Sequence, residues 1–230
     1  KAGMVHHKIH DINWTALGIR PDDAETKMKR QLRPVSTAAT LNLAANAAQA
    51  ARIWKDIDPT FAGKCLAAAE KAWRAAKANP AMFISPEDKN GGGPYDDTQV
   101  SDEFYWAAAE LFITTGKAEY QSEVTSSPHH TSFPMDAGGA TSSMAWGRTD
   151  VLGKISLAVV PNQGGAALVQ QMRGQVVQAA EAYLKMIDDT GYRVPFKGEP
   201  NGKYPWGSNS FILNNMVVMA LAYDFTNQKK

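Results

Sequence analysis

The stretch from Ser36 to Trp54, STAATLNLAANAAQAARIW, holds neither glycine nor proline and is dominated by alanine, the best helix former. Leu41, Ala44, Ala45, Ala48 and Arg52 share one helical face, which predicts a helix over the whole stretch. Ser36 or Thr37 supplies an N-cap oxygen, and Pro34 keeps Arg33 extended ahead of it. The run from Lys55 to Pro59 breaks the pattern. A second alanine-rich helix is predicted from Thr60 to Lys77, closed by Asn79 and Pro80. Whatever else the chain does, it must accommodate an antiparallel helical hairpin.

Further helices are predicted around Asp102–Ile113, with Ser101 as the cap, over Met144–Val160, over Gly165–Asp189 and over Ser208–Asp224, with a short one after Thr114. The Asp102–Ile113 segment is bulky and apolar around most of its circumference and must be buried on several sides. Between the helices lie a Gly- and Pro-rich loop from Pro86 to Thr98, a Ser/His/Gly-rich excursion from Ser126 to Ser143 and a turn-rich segment from Gly191 to Gly207. Short helix-to-helix connectors begin at Asp56, Thr114 and Asp224, while the long loops fall at the opposite ends of the helix pairs. That alternation predicts an all-α fold of stacked αα-hairpins, with the long loops gathered on one face. The Ser208–Asp224 helix is left without its partner, so an incomplete array is expected.

Charge excludes several functions. Of 230 residues, 24 are Lys or Arg and 23 Asp or Glu, a net charge of +1, and no basic block exceeds Lys229-Lys230. Nucleic-acid binding needs a clustered basic excess and is not expected. No apolar run approaches the roughly 20 residues that span a bilayer, and residues 1–15 are too polar for a signal peptide, so a soluble, mature chain is expected. The apolar share of 44% supports a sizeable core. Cys65, the only cysteine, excludes an internal disulfide and reads as buried among alanines.

The run from Gly91 to Leu111, GGGPYDDTQVSDEFYWAAAEL, resembles the central motif of glycoside hydrolase family 9. Val5–Trp14, Arg33–Leu41 and Tyr204–Ser210 resemble further motifs of that family, in the family's order, and the likeness runs over essentially the whole chain. It is strongest to the clostridial cellulase and cellobiohydrolase branch, whose catalytic module follows an immunoglobulin-like domain. The resemblance implies a barrel of six αα-hairpins, of which this chain is about half, that cleaves β-1,4-glucan with inversion. Inversion needs a carboxylate base and a carboxylic acid on opposite faces of the sugar. The family's Asp-Ala-Gly-Asp and Asn-Glu motifs, which carry them, do not occur here. Asp136-Ala-Gly138 echoes the first but follows the central motif and lacks the second Asp. The catalytic carboxylates are therefore expected before Lys1 and after Lys230. The alternative is a complete helical-repeat protein that binds glucan without cutting it.

Candidate site residues follow from both readings. Trp14 comes after a polar segment, where an exposed indole could stack on a glucosyl ring or cover a helix end. His10 and Asp11, just before it, could bond sugar hydroxyls or stabilise a loop, and His6, His7 and His10 could by spacing gather a metal. The resemblance places Tyr95 in the cleft near the scissile bond and a stacking residue at Trp206, with Tyr204 beside it. Thr98, through its carbonyl, with Asp102 and Glu103 offers hard oxygens for a structural calcium. Acids in a first helical turn also complement the helix dipole. The resemblance includes an acid in some members where Gly147 stands. Trp54, Trp73, Trp106 and Trp146 are expected in the core, and Pro128-His-His130 in a surface loop. Cellulose or cello-oligosaccharides and the remaining segments of the same module are the expected partners, no organic cofactor is expected, and a secreted location follows from the function.

Overall fold

Ser36 Oγ accepts the Ala39 N–H at 3.1 Å and so opens helix α2, Thr37–Trp54. This is the first long element of a computed structural model that describes residues 2–135, 142–198 and 203–228. Asp58 does the same for α3, Pro59–Ala78, by accepting the Phe61 N–H at 2.9 Å. The two pack face to face through Ala44, Ala45 and Ala48 on one side and Ala69, Ala72 and Ala76 on the other, all buried. Ahead of them come strand β1, Val5–His6, strand β2, Ile9–Asp11, helix α1, Pro21–Lys27, strand β3, Arg30–Leu32, and strand β4, Val35–Ser36. Antiparallel pairing joins β1 to β4 and β2 to β3. These elements and the loop that follows α3 make up a compact unit, Lys1–Val100.

The second unit, Ser101–Lys230, contains α4, Ser101–Thr115, α5, Ala118–Ser126, α6, Asp150–Val159, α7, Gly165–Asp189, and α8, Ser208–Thr226. Helix α4 is packed by both α5 and α6, α6 by α7, and α7 by α8. Gly153 of α6 makes the α4 contact possible, because a Cβ there would sit 3.1 Å from both Ala109 Cβ and Trp106 Cα. The core joins Leu111, Phe112, Val151, Leu157, Met172, Val176, Tyr183 and Val218. Helix α8 leaves Leu213, Met216 and Val217 exposed. Among the described residues no helix is long and apolar enough to cross a membrane.

The helical expectation holds, with local corrections. The four short strands were not anticipated, because two or three residues leave no readable alternation. Ser101 is not a cap but the first residue of α4, and its hydroxyl bonds to His129 Nε2 at 2.9 Å. The helix expected from Met144 begins only at Asp150, after a turn closed by paired Ala145 and Arg148 backbones. Pro128–His130 is a 3-10 turn whose His130 is buried, not a surface loop. Trp73 and Trp106 are core residues, whereas Trp54 and Trp146 are exposed at helix and turn edges, and Cys65 is only half-buried.

The buried face of α4 also carries charge. Glu110 accepts Trp106 Nε1 at 3.2 Å and Ser156 Oγ at 2.6 Å, and Asp102 accepts the Thr149 N–H at 2.6 Å, which ties α4 to the start of α6. Lys154, fully buried on α6, donates to the His129 carbonyl and to Gln175 Oε1 and lies 5.0 Å from the Tyr105 ring centre. Burial lowers its pKa from 10.5 to about 8, although Asp150 pulls the other way. The unfolded chain thus binds more protons than the folded one between those values, so this group's contribution to stability rises with pH across that window. Measured against Lys154→Met, the wild-type melting temperature should climb between pH 8 and 10.5, by on the order of 3 kcal/mol in stability. Thermal melts at pH 7.5, 9 and 10.5 check this; a constant difference between the two proteins refutes it.

Candidate functional site

In the first unit the Gly- and Pro-rich loop has no ladder to satisfy its carbonyls, so side chains from the strand ribbon do it. Lys8 Nζ donates to the carbonyls of Asp88, at 2.7 Å, and Gly93. His7 Nε2 donates to the Pro94 carbonyl at 3.1 Å, while its Nδ1 accepts from Ser36 Oγ at 2.8 Å. The Asp88 carboxylate is held by Arg33 at 2.7 Å and faces Lys8 at 3.9 Å. Burial lowers the pKa of both His7 and Lys8, with the Pro94 bond and Asp88 respectively pulling back.

The same loop closes over His10. Its Nδ1 donates to the Asp11 carbonyl at 2.6 Å, and its buried Nε2 has no hydrogen-bond partner. Gly91, at φ 72°, is pressed so close that a Cβ would lie 1.8 Å from the Asp11 oxygen, and a Cβ on Gly92 would lie 3.3 Å from His10 Cβ. Asp11 Oδ2 accepts the Thr15 hydroxyl at 2.6 Å. Trp14 donates its indole N–H to the Lys89 carbonyl at 3.2 Å while the side chain stays 68% exposed. Tyr95 is half-exposed, covers Gly93, and holds φ 52°, a left-handed conformation that is uncommon outside glycine. His10, Trp14 and Tyr95 are thus brought onto one pinned loop system. A metal at His6, His7 and His10 finds no support, because His6 Nδ1 bonds the Arg33 carbonyl at 2.6 Å and, among the described residues, no three His, Cys, Asp or Glu side chains cluster to hold a metal.

In the second unit Tyr204 and Trp206 precede α8. Phe196, fully buried, stacks on Phe211 at 5.8 Å and meets the Tyr204 ring at 5.5 Å, and Tyr204 meets Tyr192 edge-on at 5.9 Å. Trp206 is 99% exposed, just before Gly207 turns the chain into the helix. Tyr192 was not singled out in the sequence; its place between Gly191 and Arg193 in a turn was the only signal available.

The calcium oxygens are divided between the units, Thr98 in the first and Asp102 and Glu103 in the second. Asp102 spends one oxygen on Thr149 and both acids are buried, and among the described residues no three His, Cys, Asp or Glu side chains cluster to hold a metal. Asp136-Ala-Gly138 lies outside the described residues.

Comparison with known proteins agrees on one family. The sequence profile of Glycosyl hydrolase family 9 matches residues 1–230. The chain is 51% identical to a cellulose 1,4-beta-cellobiosidase of Acetivibrio thermocellus, covering 100% of this chain and 27% of that protein. It is 45% identical to endoglucanase C of Cellulomonas fimi, covering 100% and 20%. Among solved structures, a metagenome-derived family 9 endoglucanase superposes with a TM-score of 0.83 at 30% identity, over 99% of this chain and 39% of that one. The chain therefore spans only 27% and 20% of the length of these two relatives.

The loop geometry makes its own prediction. Gly91→Ala should lower stability by about 2 kcal/mol or more, since it adds both a left-handed alanine and a clash with backbone. Gly92→Ala, whose Cβ would meet only the His10 side chain, should cost less. Equal urea midpoints for the two variants contradict the packing described.

Proposed function

Because the chain belongs to glycosyl hydrolase family 9, we propose that the whole protein hydrolyses β-1,4-linked glucan and that residues 1–230 supply sugar-contacting walls of its cleft. The observation that carries this reading is the pair of indoles held out into solvent, Trp14 and Trp206, each on a loop rather than on a packed helix face. An exposed tryptophan costs hydration of a large apolar surface, and a pyranose ring, whose C–H faces are apolar, is a planar partner that recovers it. Tyr204 and Tyr95 add a half-buried ring and a phenol in a strained conformation. His10 and Asp11 stand beside Trp14 as hydrogen-bonding groups for hydroxyls.

Cellulose and cello-oligosaccharides are the substrates of this proposal, and hydrolysis by inversion places a general base and a general acid on opposite faces of the scissile sugar. No residue of this chain is assigned to either role. Remaining segments of the same catalytic module are proposed to cover the exposed Leu213, Met216 and Val217 of α8. An insoluble polymer must be met outside the cell, so the protein is proposed to be secreted.

The test uses the full polypeptide that carries this sequence. It should release reducing sugar from amorphous cellulose, and Trp206→Ala and Trp14→Ala should each raise KM for cellotetraose by about tenfold, the size expected of one lost stacking contact. Absence of any sugar release from the intact protein would sink the reading, and unchanged KM in both variants would remove these residues from the cleft.

A further inference from the structure

The second unit holds a constellation that glucan hydrolysis does not use. Ser101 Oγ lies 2.9 Å from His129 Nε2, and His129 Nδ1 lies 3.6 Å from Asp150 Oδ2. We propose that Ser101, His129 and Asp150 act as nucleophile, general base and orienting carboxylate in the cleavage of a short carboxylic ester. The order of the three groups, and the use of opposite nitrogens of one imidazole, are what nucleophilic acyl transfer requires.

Each group has the exposure its role demands. Ser101 is exposed, the His129 ring is mostly covered, and Asp150 is fully buried. Arg148 Nε occupies Asp150 Oδ1 at 2.7 Å, and Oδ2, facing His129, is buried with no hydrogen bond of its own. Burial alone would push the Asp150 pKa up, but the contacts with His129 and Arg148 outweigh it and hold the carboxyl below the usual range. An ionised Oδ2 fixes the tautomer that carries the proton on Nδ1 and leaves the Nε2 lone pair for the serine. At 3.6 Å the two groups are within ion-pair range, and contacts of this kind tighten when a substrate binds.

The backbone of His129 is fixed as well. Its N–H donates to Ser127 Oγ at 3.3 Å and its carbonyl accepts from Lys154. Pinning one loop to α4 would need only the Ser101 bond. Ser101 also begins a 15-residue helix, whose first-turn N–H groups have no intrahelical acceptor.

The chemistry closes without a further reactant beyond water. Ser101 Oγ bonds to the ester carbonyl carbon as its proton passes to His129 Nε2. Collapse of the tetrahedral oxyanion breaks the carbon–alkoxy bond, and the alcohol leaves with that proton. Water, deprotonated by His129, then attacks the acyl-serine; the carboxylic acid departs and Ser101 regains its proton. Two cavities of the second unit lie between α7 and α8 and beside Thr131–Met135, and neither is lined by Ser101, His129 or Asp150. Ser101 stands exposed at the surface, which suits a short acyl group, an acetyl on an accessible alcohol such as a sugar hydroxyl.

The proposal stands independently of glucan hydrolysis. The intact protein is treated with an alkyl fluorophosphonate and the adduct located by peptide mass spectrometry. The expected result is a phosphonyl adduct on Ser101 with none on Ser126 and Ser210, which are also exposed, and at least a 100-fold slower adduct in His129→Gln at unchanged melting temperature. The wild type should also release acetate from a peracetylated cello-oligosaccharide, and Ser101→Ala should not. No adduct on Ser101, or an adduct no faster than on Ser126 and Ser210, overturns the proposal and leaves the three residues as a latch on the 127–131 loop.

Discussion

Carbonyl groups of irregular backbone, and the few buried donors that reach them, govern both units. A loop that crosses a packed surface without a ladder must find other partners for its oxygens, since each one left dry costs several kcal/mol in the limit of an apolar site. Lys8 answers two of them at once, Asp88 and Gly93, and His7 a third at Pro94. In the second unit Lys154 and Gln175 do the same for the carbonyls of His129 and His130. Long amine stems suit this task because they reach across the layer while the head makes several bonds.

The solution carries its own cost. An ammonium withdrawn from water loses hydration, which is why burial lowers the pKa of Lys8 and of Lys154. Each is placed near a carboxylate, Asp88 in one unit and Asp150 in the other, and each of those carboxylates is also held by an arginine, Arg33 and Arg148. The repetition has a physical reason. One acid cannot neutralise a lysine and be solvated by it alone in a dry site, so a guanidinium supplies the directional bond and the lysine is left free to serve the loop.

Sequence showed the helices because their signals are local. Alanine runs and Ser36 before Thr37 act within one turn, and α7 follows its predicted bounds from Gly165 to Asp189. It misplaced the elements whose fate is decided at a distance. Ser101 resembles a cap, but a histidine 28 positions away claims its hydroxyl, and Met144–Thr149 has helical composition, but Asp102 takes the Thr149 N–H. Trp14 was legible from the polar segment before it, whereas Trp206 and the place of Tyr95 in the cleft came from family resemblance, since an exposed tryptophan and a buried one otherwise read alike in a single sequence. That is also why Trp54 and Trp146 were placed in the core and His130 on the surface.

The strength of the donors under the loops bears on how an exposed ring can be useful. A stacking contact with a sugar yields only about 0.5–1.5 kcal/mol beyond area burial, while ordering a mobile side chain and its backbone can cost as much or more. Such a contact contributes net affinity only if the ordering is already complete before the sugar arrives. Trp14 meets that condition through the bond from its indole N–H to Lys89, on a loop fastened by Lys8 and His7. Tyr204 meets it by leaning on buried Phe196, which is itself stacked on Phe211. Trp14 and Tyr204 are thus the ends of ordered chains of contacts, and the stiffness of their loops is what makes a weak contact worth having.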